Sequence, residues 1–317
     1  IHDWVGSDKH LGVGGFVKEI RTNTSYESER IGNERREVMR TPVGALERIS
    51  GFDEGSQSWH PTQMPVRRLD DIHVLTDWYE DLRVELEPGA LERARERVAE
   101  IGDSGVVADG IGISPLMDWV QHLAGVENAH LFLAERREDV EALFDAMHGV
   151  LCDKAEIICA HTPADLTYMV ENTSTTLISP DQYRTYCLKH IGDYAGIARA
   201  QGKRMALHMC GHLKLILRDI ATLGVSAFEA FTSAPVGNTT LLDGRTDCPD
   251  VCLIGGTNAA LWLRPAEEII AALERDLDAL PHHRGIVPTS AGVMPPLAKP
   301  ETIRQVCEWV KAYPVRV

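Results

Sequence analysis

The sequence predicts a (β/α)8 TIM barrel, because short apolar strands alternate with helical segments from residue 101 onward. Polar residues follow nearly every predicted strand, and a barrel of this kind builds its active site at the carboxyl ends of its strands. A doubly wound sheet also gathers polar residues at strand ends, but it binds dinucleotides through a glycine-rich loop. Gly110-Ile111-Gly112 continues into Ile113-Ser114-Pro115 and does not match that fingerprint. The barrel is therefore favoured.

Hydrophobic runs and capping residues place the elements of the main repeat. The predicted strands are 105–108, 166–170, 204–208, 227–230, 252–255 and 285–288. The predicted helices are 180–201, 265–280 and 300–313. Each begins at a proline, which suits the first helical position, and Ser179 is the expected N-cap of the first.

The whole chain, residues 1–317, is predicted to form one barrel domain. Residues 101–317 hold the main β/α repeats, and residues 1–100 form an irregular N-terminal part with a β-hairpin. The hairpin is placed at residues 37–48 and 63–68, around a loop that contains Trp59 and His60.

The composition excludes several classes of function. A net charge of −15 argues against binding to the phosphate backbone of nucleic acids, which needs clustered lysine and arginine. No segment approaches the roughly 18 consecutive apolar residues of a membrane span. The first residues show no secretory signal, and seven scattered cysteines are not the pattern of a disulfide framework. We therefore expect a cytoplasmic protein that binds neither nucleic acid nor membrane.

His208-Met209-Cys210 is the most informative motif of the chain. Met205 to Leu207 predict a short buried strand, so His208 and Cys210 project from one face while Met209 points away. An imidazole and a thiolate side by side are two ligands for a metal such as zinc. The alternative is a hydrogen-bonded histidine beside a buried apolar cysteine.

Further polar residues at predicted strand ends are candidates for the same site. Glu171 and Asn172 are predicted to act in catalysis and to contact substrate. Asp109 and Asn258 either bind substrate or cap helices. Glu229 lies in an apolar strand, where an unpaired carboxylate is unfavourable, so it is either a metal ligand, a substrate contact or part of a salt bridge.

With these strands in order, residues from about 35 to 317 resemble the uroporphyrinogen decarboxylase superfamily of (β/α)8 barrels. The resemblance is closest to its corrinoid-dependent and zinc-dependent methyltransferases. The motifs that carry it are Thr41-Pro42-Val43-Gly44, Leu177 to Tyr183, His208 to His212, Glu229 to Thr232, Gly237 to Thr240 and Gly292 to Pro296.

The resemblance implies a zinc site and a methyl-transfer reaction. In that branch a His-x-Cys pair and a later cysteine hold zinc, and His208 and Cys210 match the pair. Glu229 is the expected carboxylate ligand. Ala291 stands where the later cysteine belongs, so three ligands remain unless the loop carrying Cys248 and Cys252 folds over the barrel. Three protein ligands and an open position suit a catalytic zinc.

The implied reaction moves a methyl group between a small methylated molecule or thiol and a corrinoid (cobalamin), carried on a separate corrinoid protein. Two alternatives remain open. One is a metal-free decarboxylase acting on a tetrapyrrole, although the run Glu171 to Thr176 and the turn Ser290 to Gly292 depart from that pattern. The other is a non-catalytic corrinoid-binding paralogue. The oligomeric state is left open, with a homodimer as one option.

Overall fold

An N-terminal run of strands precedes regular alternation of strands and helices in the computed structural model, which describes residues 2–317. The strands are β1 (Lys9–Gly12), β2 (Val17–Ile20), β3 (Ser25–Ile31), β4 (Glu34–Thr41), β5 (Gly44–Asp53), β6 (Ser58–Gln63), β7 (Arg83–Leu86), β8 (Gly105–Gly112), β9 (Leu166–Val170), β10 (Arg204–His208), β11 (Ala227–Phe231), β12 (Cys252–Gly256) and β13 (Ile286–Thr289). The α-helices are α1 (His2–Val5), α2 (Asp71–Glu80), α3 (Pro88–Ile101), α4 (Pro115–Asp118), α5 (Val126–Glu135), α6 (Arg137–His161), α7 (Pro180–Gln182), α8 (Leu188–Ala200), α9 (Leu217–Ile220), α10 (Leu241–Asp247), α11 (Ala266–Asp278) and α12 (Pro300–Ala312).

Seven parallel strands form the main sheet, in the spatial order β1, β8, β9, β10, β11, β12, β13. Helices connect successive strands, as parallel pairing requires. The predicted TIM-like α/β architecture is confirmed, but the prediction of a closed eight-stranded barrel is wrong. Within residues 2–317 the sheet has seven strands, and β13 does not pair with β1, so it forms an open half-barrel.

The N-terminal strands account for this difference, because most of them pair with one another. Strands β3 to β6 form a four-stranded antiparallel sheet, and β2 pairs antiparallel with β7. Short connections such as Gly32–Asn33 and Pro42–Val43 bring consecutive strands together as hairpins. Where one hairpin was predicted there are thus four strands, and Trp59 and His60 lie within β6 rather than in a loop.

The helices pack against one face of the parallel sheet and bury the main core between them. Fully buried side chains there include Phe16, Trp119, Phe144, Tyr183, Tyr194 and Phe228. The predicted helix 180–201 is divided into α7, a π-helical turn at Tyr183–Cys187, and α8. Ser179 caps it as predicted, since its Oγ accepts a hydrogen bond from the Gln182 amide at 3.1 Å.

None of the helices within residues 2–317 combines the length and apolar character needed to cross a membrane.

Candidate functional site

His208 and Glu229 meet at the carboxyl ends of two neighbouring strands. They are directly opposite each other in the β10–β11 register, so both side chains project from the same face of the sheet. The His208 Nδ1 contacts the Glu229 Oε2. The Tyr168 hydroxyl, from β9, donates to the same carboxylate oxygen at 2.5 Å. Three adjacent strands therefore build one hydrogen-bonded group.

The electrostatics of this group favour a charged imidazolium beside a carboxylate. Burial disfavours the charged form of His208, but the contacts with Cys210 and Glu229 outweigh it and raise its pKa to about 9. Burial likewise works against the Glu229 carboxylate, yet the hydrogen bond and charge of His208 lower its pKa overall. At neutral pH the two side chains form an ion pair, with side-chain exposures of 18% and 16%.

Cys210 lies beside this pair and is held by Asn172. The Cys210 thiol donates to the Asn172 Oδ1 at 3.2 Å, and the Asn172 amide donates to the Gln121 Oε1 at 2.9 Å. Asn172 has a φ of 47°, in the left-handed region that asparagine tolerates better than most residues. Asn172 is thus placed to orient the thiol.

Gly211 allows the segment after β10 to pack directly on the loop after β9. A Cβ at Gly211 would lie 2.4 Å from the Thr173 carbonyl oxygen and 2.4 Å from the Ser174 Cβ. No side chain fits at that distance, so glycine is required if Asn172 and Cys210 are to stay in contact.

The side chains at this site supply donor atoms that suit zinc. In the structure, however, these atoms are hydrogen-bonded to one another and to Asn172 rather than arranged around a metal ion. His208, Cys210 and Glu229 supply nitrogen, sulfur and oxygen, the three donor types that zinc accepts. Within residues 2–317, however, no group of three or more His, Cys, Asp or Glu side chains is arranged to hold a metal ion. Binding would exchange the His208–Glu229 and Cys210–Asn172 contacts for ligand bonds.

The other cysteines named as ligands lie elsewhere. Cys252 begins β12, at the amino end of the sheet, and the buried Cys248 thiol points to the Leu217 carbonyl at 3.8 Å. Neither loop folds over the carboxyl end, so that conditional expectation is wrong. Ala291 is buried after β13 and accepts a hydrogen bond from Thr232 at 3.0 Å.

Glu171 is close to the site but turned away from it. Its side chain is completely buried, and its two carboxylate oxygens accept hydrogen bonds from the Ser114 amide at 2.8 Å and the Ser114 hydroxyl at 2.5 Å. Burial raises its pKa to about 7, against the opposing effect of Ser114. This placement ties the β9 loop to the β8–α4 connection. It does not support the predicted contact with substrate.

Asp109 and Asn258 lie in different surroundings, and only Asn258 is a cap. Asp109 is 4% exposed, burial raises its pKa, and it lines a cavity beside the segment that follows β1, so its predicted role in substrate binding stays a prediction. Asn258 is 7% exposed. The Asn258 Oδ1 accepts from the Leu261 amide at 3.1 Å, and its Nδ2 donates to the Ala234 carbonyl at 2.9 Å. Asn258 is therefore the helix cap that the alternative interpretation expected.

Sequence reasoning missed Tyr168, His10, Gln121 and Ser114. Tyr168 looks like an ordinary strand aromatic, and its closeness to Glu229, 61 residues further along the chain, depends on the strand pairing. His10 lies on β1, an element that the sequence did not predict, and its ring meets Tyr168 edge-on at 5.3 Å between centroids. The hydrogen-bonded group at His208 and Glu229 thus also involves side chains from β9 and β1.

Comparison with known proteins places the chain in a family. Residues 64–313 match the family model described as uroporphyrinogen decarboxylase (URO-D). No curated protein sequence matches the chain.

Among solved structures, one similar to this chain is a methyltransferase from Methanosarcina mazei, with 14% sequence identity and a TM-score of 0.59. The match covers 83% of this chain and 74% of that one. At this identity the match shows a shared fold.

Proposed function

Because the chain belongs to the uroporphyrinogen decarboxylase (URO-D) family, we propose that it is the methyl-transferring kind of member, an enzyme that moves a methyl group between a small molecule and a corrinoid. The observation that carries this proposal is the meeting of His208, Cys210 and Glu229 at the carboxyl ends of β10 and β11. The shared fold with a methyltransferase supports it.

In this proposal His208, Cys210 and Glu229 hold zinc. When bound there, zinc supplies a Lewis acid that stabilises the thiolate of an acceptor or polarises the heteroatom of a methyl donor. The corrinoid is a cobalamin carried by a separate corrinoid protein, which would dock at the carboxyl end of the sheet.

The surrounding side chains hold the three donors in place. Tyr168 donates to Glu229, which leaves the other carboxylate oxygen free to act as a ligand. Asn172 and Gln121 fix the direction of the Cys210 thiol. Glu171 does not contact the three donors. Its hydrogen bonds to Ser114 hold the backbone next to Asn172, and in this way it helps to position Asn172. Such partners tune ligand basicity and orientation.

A decarboxylase acting on a carboxylate-rich tetrapyrrole is less consistent with this site. That activity needs several cations around the substrate. The loops after β9 to β13 contain one arginine, Arg264, which pairs with Glu268 at 3.0 Å. Lys214 pairs with Asp243 at 3.4 Å. Lys299, directly before α12, is the remaining lysine, so these loops carry three scattered lysine and arginine side chains and no basic cluster within the described part of the chain.

Metal analysis of the purified protein tests the zinc site. We expect about one zinc per chain, lost in Cys210→Ser and kept in Cys307→Ser, whose cysteine lies on α12.

A methyl-transfer assay tests the reaction. Methylcobalamin is mixed with the protein and a panel of thiols, and loss of the methyl group is measured as a change in the absorbance of the corrinoid. Absence of zinc together with absence of transfer would overturn the proposal.

The two alternative functions give different results in the same experiments. Turnover of uroporphyrinogen by metal-free protein would identify a decarboxylase. Binding of a corrinoid without transfer, zinc or decarboxylation would identify a non-catalytic paralogue.

A further inference from the structure

We propose that a second site, at the amino end of the half-barrel, binds a small organic anion with two or more carboxylate or phosphate groups. A cavity of about 520 Å³ lies there, a volume typical of small-ligand sites. It is lined by residues at the beginnings of β10 to β13, among them Arg204, Ser226, Cys252 and Gly285. The candidate zinc ligands lie at the other end of the same strands.

The two ends of the half-barrel are separated by packed side chains. Arg204, Ala206 and His208 alternate along one face of β10. Ala206 pairs with Ala227 in the β10–β11 register, and these alanines are only 2% and 6% exposed. The cavity is therefore a distinct site, and the inference is independent of the methyl-transfer proposal.

The cavity is strongly basic in an otherwise acidic protein. Arg204, Arg245, Arg284 and His282 line it, against a single carboxylate from Asp250. Within residues 2–317 neither the Arg204 nor the Arg284 side chain forms an ion pair. The chain as a whole carries a net charge of −15, so unpaired arginines converging on one cavity are unusual for it. Guanidinium groups match carboxylate and phosphate oxygens geometrically.

Arg245 shapes the cavity and adds a buried positive charge. It is 6% exposed, and its guanidinium donates to the Pro249 carbonyl and, at 2.7 Å, to the Arg284 carbonyl. These are neutral acceptors, so the charge is not neutralised. The Arg245 Nε and the His282 Nδ1 are buried without a hydrogen-bond partner in the described residues. The Arg245 Nε is a buried donor left free for an anionic ligand, and the His282 Nδ1 is a polar atom free to bond one as well.

The distance between Arg204 and Arg284 indicates how many anionic groups the ligand carries. Arg204 begins β10 and Arg284 precedes β13, so three interstrand steps of about 4.8 Å separate their backbones. Both side chains line the same cavity. A ligand with two anionic groups engages both, whereas a single phosphate engages one.

Isothermal titration with citrate, pyrophosphate and inorganic phosphate tests the site in the full chain. We expect citrate or pyrophosphate to bind at one site per chain and more tightly than phosphate. Arg204→Gln with Arg284→Gln should weaken that binding at least tenfold. The matched control, Arg95→Gln with Arg97→Gln on the exposed face of α3, removes the same charge and should leave binding unchanged.

A second variant covers the case in which the double arginine variant does not fold. Ser226→Glu places a carboxylate at the cavity without removing an arginine, and the exposed Ser226 side chain has no hydrogen bond to lose in the described residues. It should also weaken binding at least tenfold. No binding by the unaltered protein, or equal weakening in the α3 control, overturns the proposal.

Discussion

At the residue scale, the hydroxyl of Tyr168 is hydrogen-bonded to Glu229, one of the three proposed zinc ligands. It donates at 2.5 Å to the carboxylate oxygen that also contacts His208. Tyr168→Phe removes this donor and keeps the ring. We expect zinc affinity to fall by roughly 10- to 100-fold, the usual effect of losing a hydrogen bond to a ligand. Competition with a chromophoric chelator measures it.

Tyr186→Phe is the control for this change. The Tyr186 hydroxyl donates to Glu141 at 2.7 Å, away from the site, and its loss should leave zinc affinity unaltered. If both variants bind zinc as the unaltered protein does, Tyr168 has no part in holding the ligands.

At the scale of elements, two stacked histidines make the packing of α6 on α8 sensitive to acid. His148 and His190 stack with ring centroids 4.1 Å apart. Burial, with help from the charges of His148 and Lys189 and against that of Asp193, lowers the pKa of His190 to about 4. Burial also lowers the pKa of His148, where Asp193 again opposes it. The folded protein therefore holds both rings neutral.

The direction of the pH effect follows from these shifts. Between the unfolded pKa of about 6.5 and the folded pKa of about 4, the unfolded chain binds more protons at His190, so the protein loses stability as the pH is lowered through this range. For His190 the loss from pH 7.5 to pH 5 is roughly 2 kcal/mol. Urea unfolding at both pH values should show a smaller loss in His190→Gln. The exposed His161→Gln should keep the full loss, and an unchanged loss in His190→Gln would contradict the prediction.

Elements with strong apolar patterns were predictable from the sequence, and weak ones were not. The cores of β9 to β12 were predicted because runs such as Met205 to Leu207 are continuously buried. Strand β1 was missed because Lys9 to Gly12 is short and alternately exposed, with no apolar run to mark it. The pairing of His208 with Glu229 needed the strand register, and a register depends on long-range packing that no local pattern contains.

At the scale of the whole molecule, the parallel sheet and the four-stranded antiparallel sheet should differ in local stability. Residues such as Met169, Leu207, Phe228 and Leu253 are at most 1% exposed in the parallel sheet. Every residue of β3 is exposed, and β3 is an edge strand of the antiparallel sheet. Hydrogen exchange should thus be slowest in β9 to β12 and fast in β3. Equal protection of β3 and β10 would contradict this expectation.

The pairing of β1 with β8 also has a consequence for folding kinetics. Residues 13–104 separate these two strands, while β3 to β6 are joined by short turns. Closing a loop of roughly 90 residues costs about 2 kcal/mol more in chain entropy than closing one of ten. We expect β1 to join the sheet after the folding transition state, so substitutions in β1 should speed unfolding more than they slow refolding. The strand that brings His10 to Tyr168 would then complete the candidate site last.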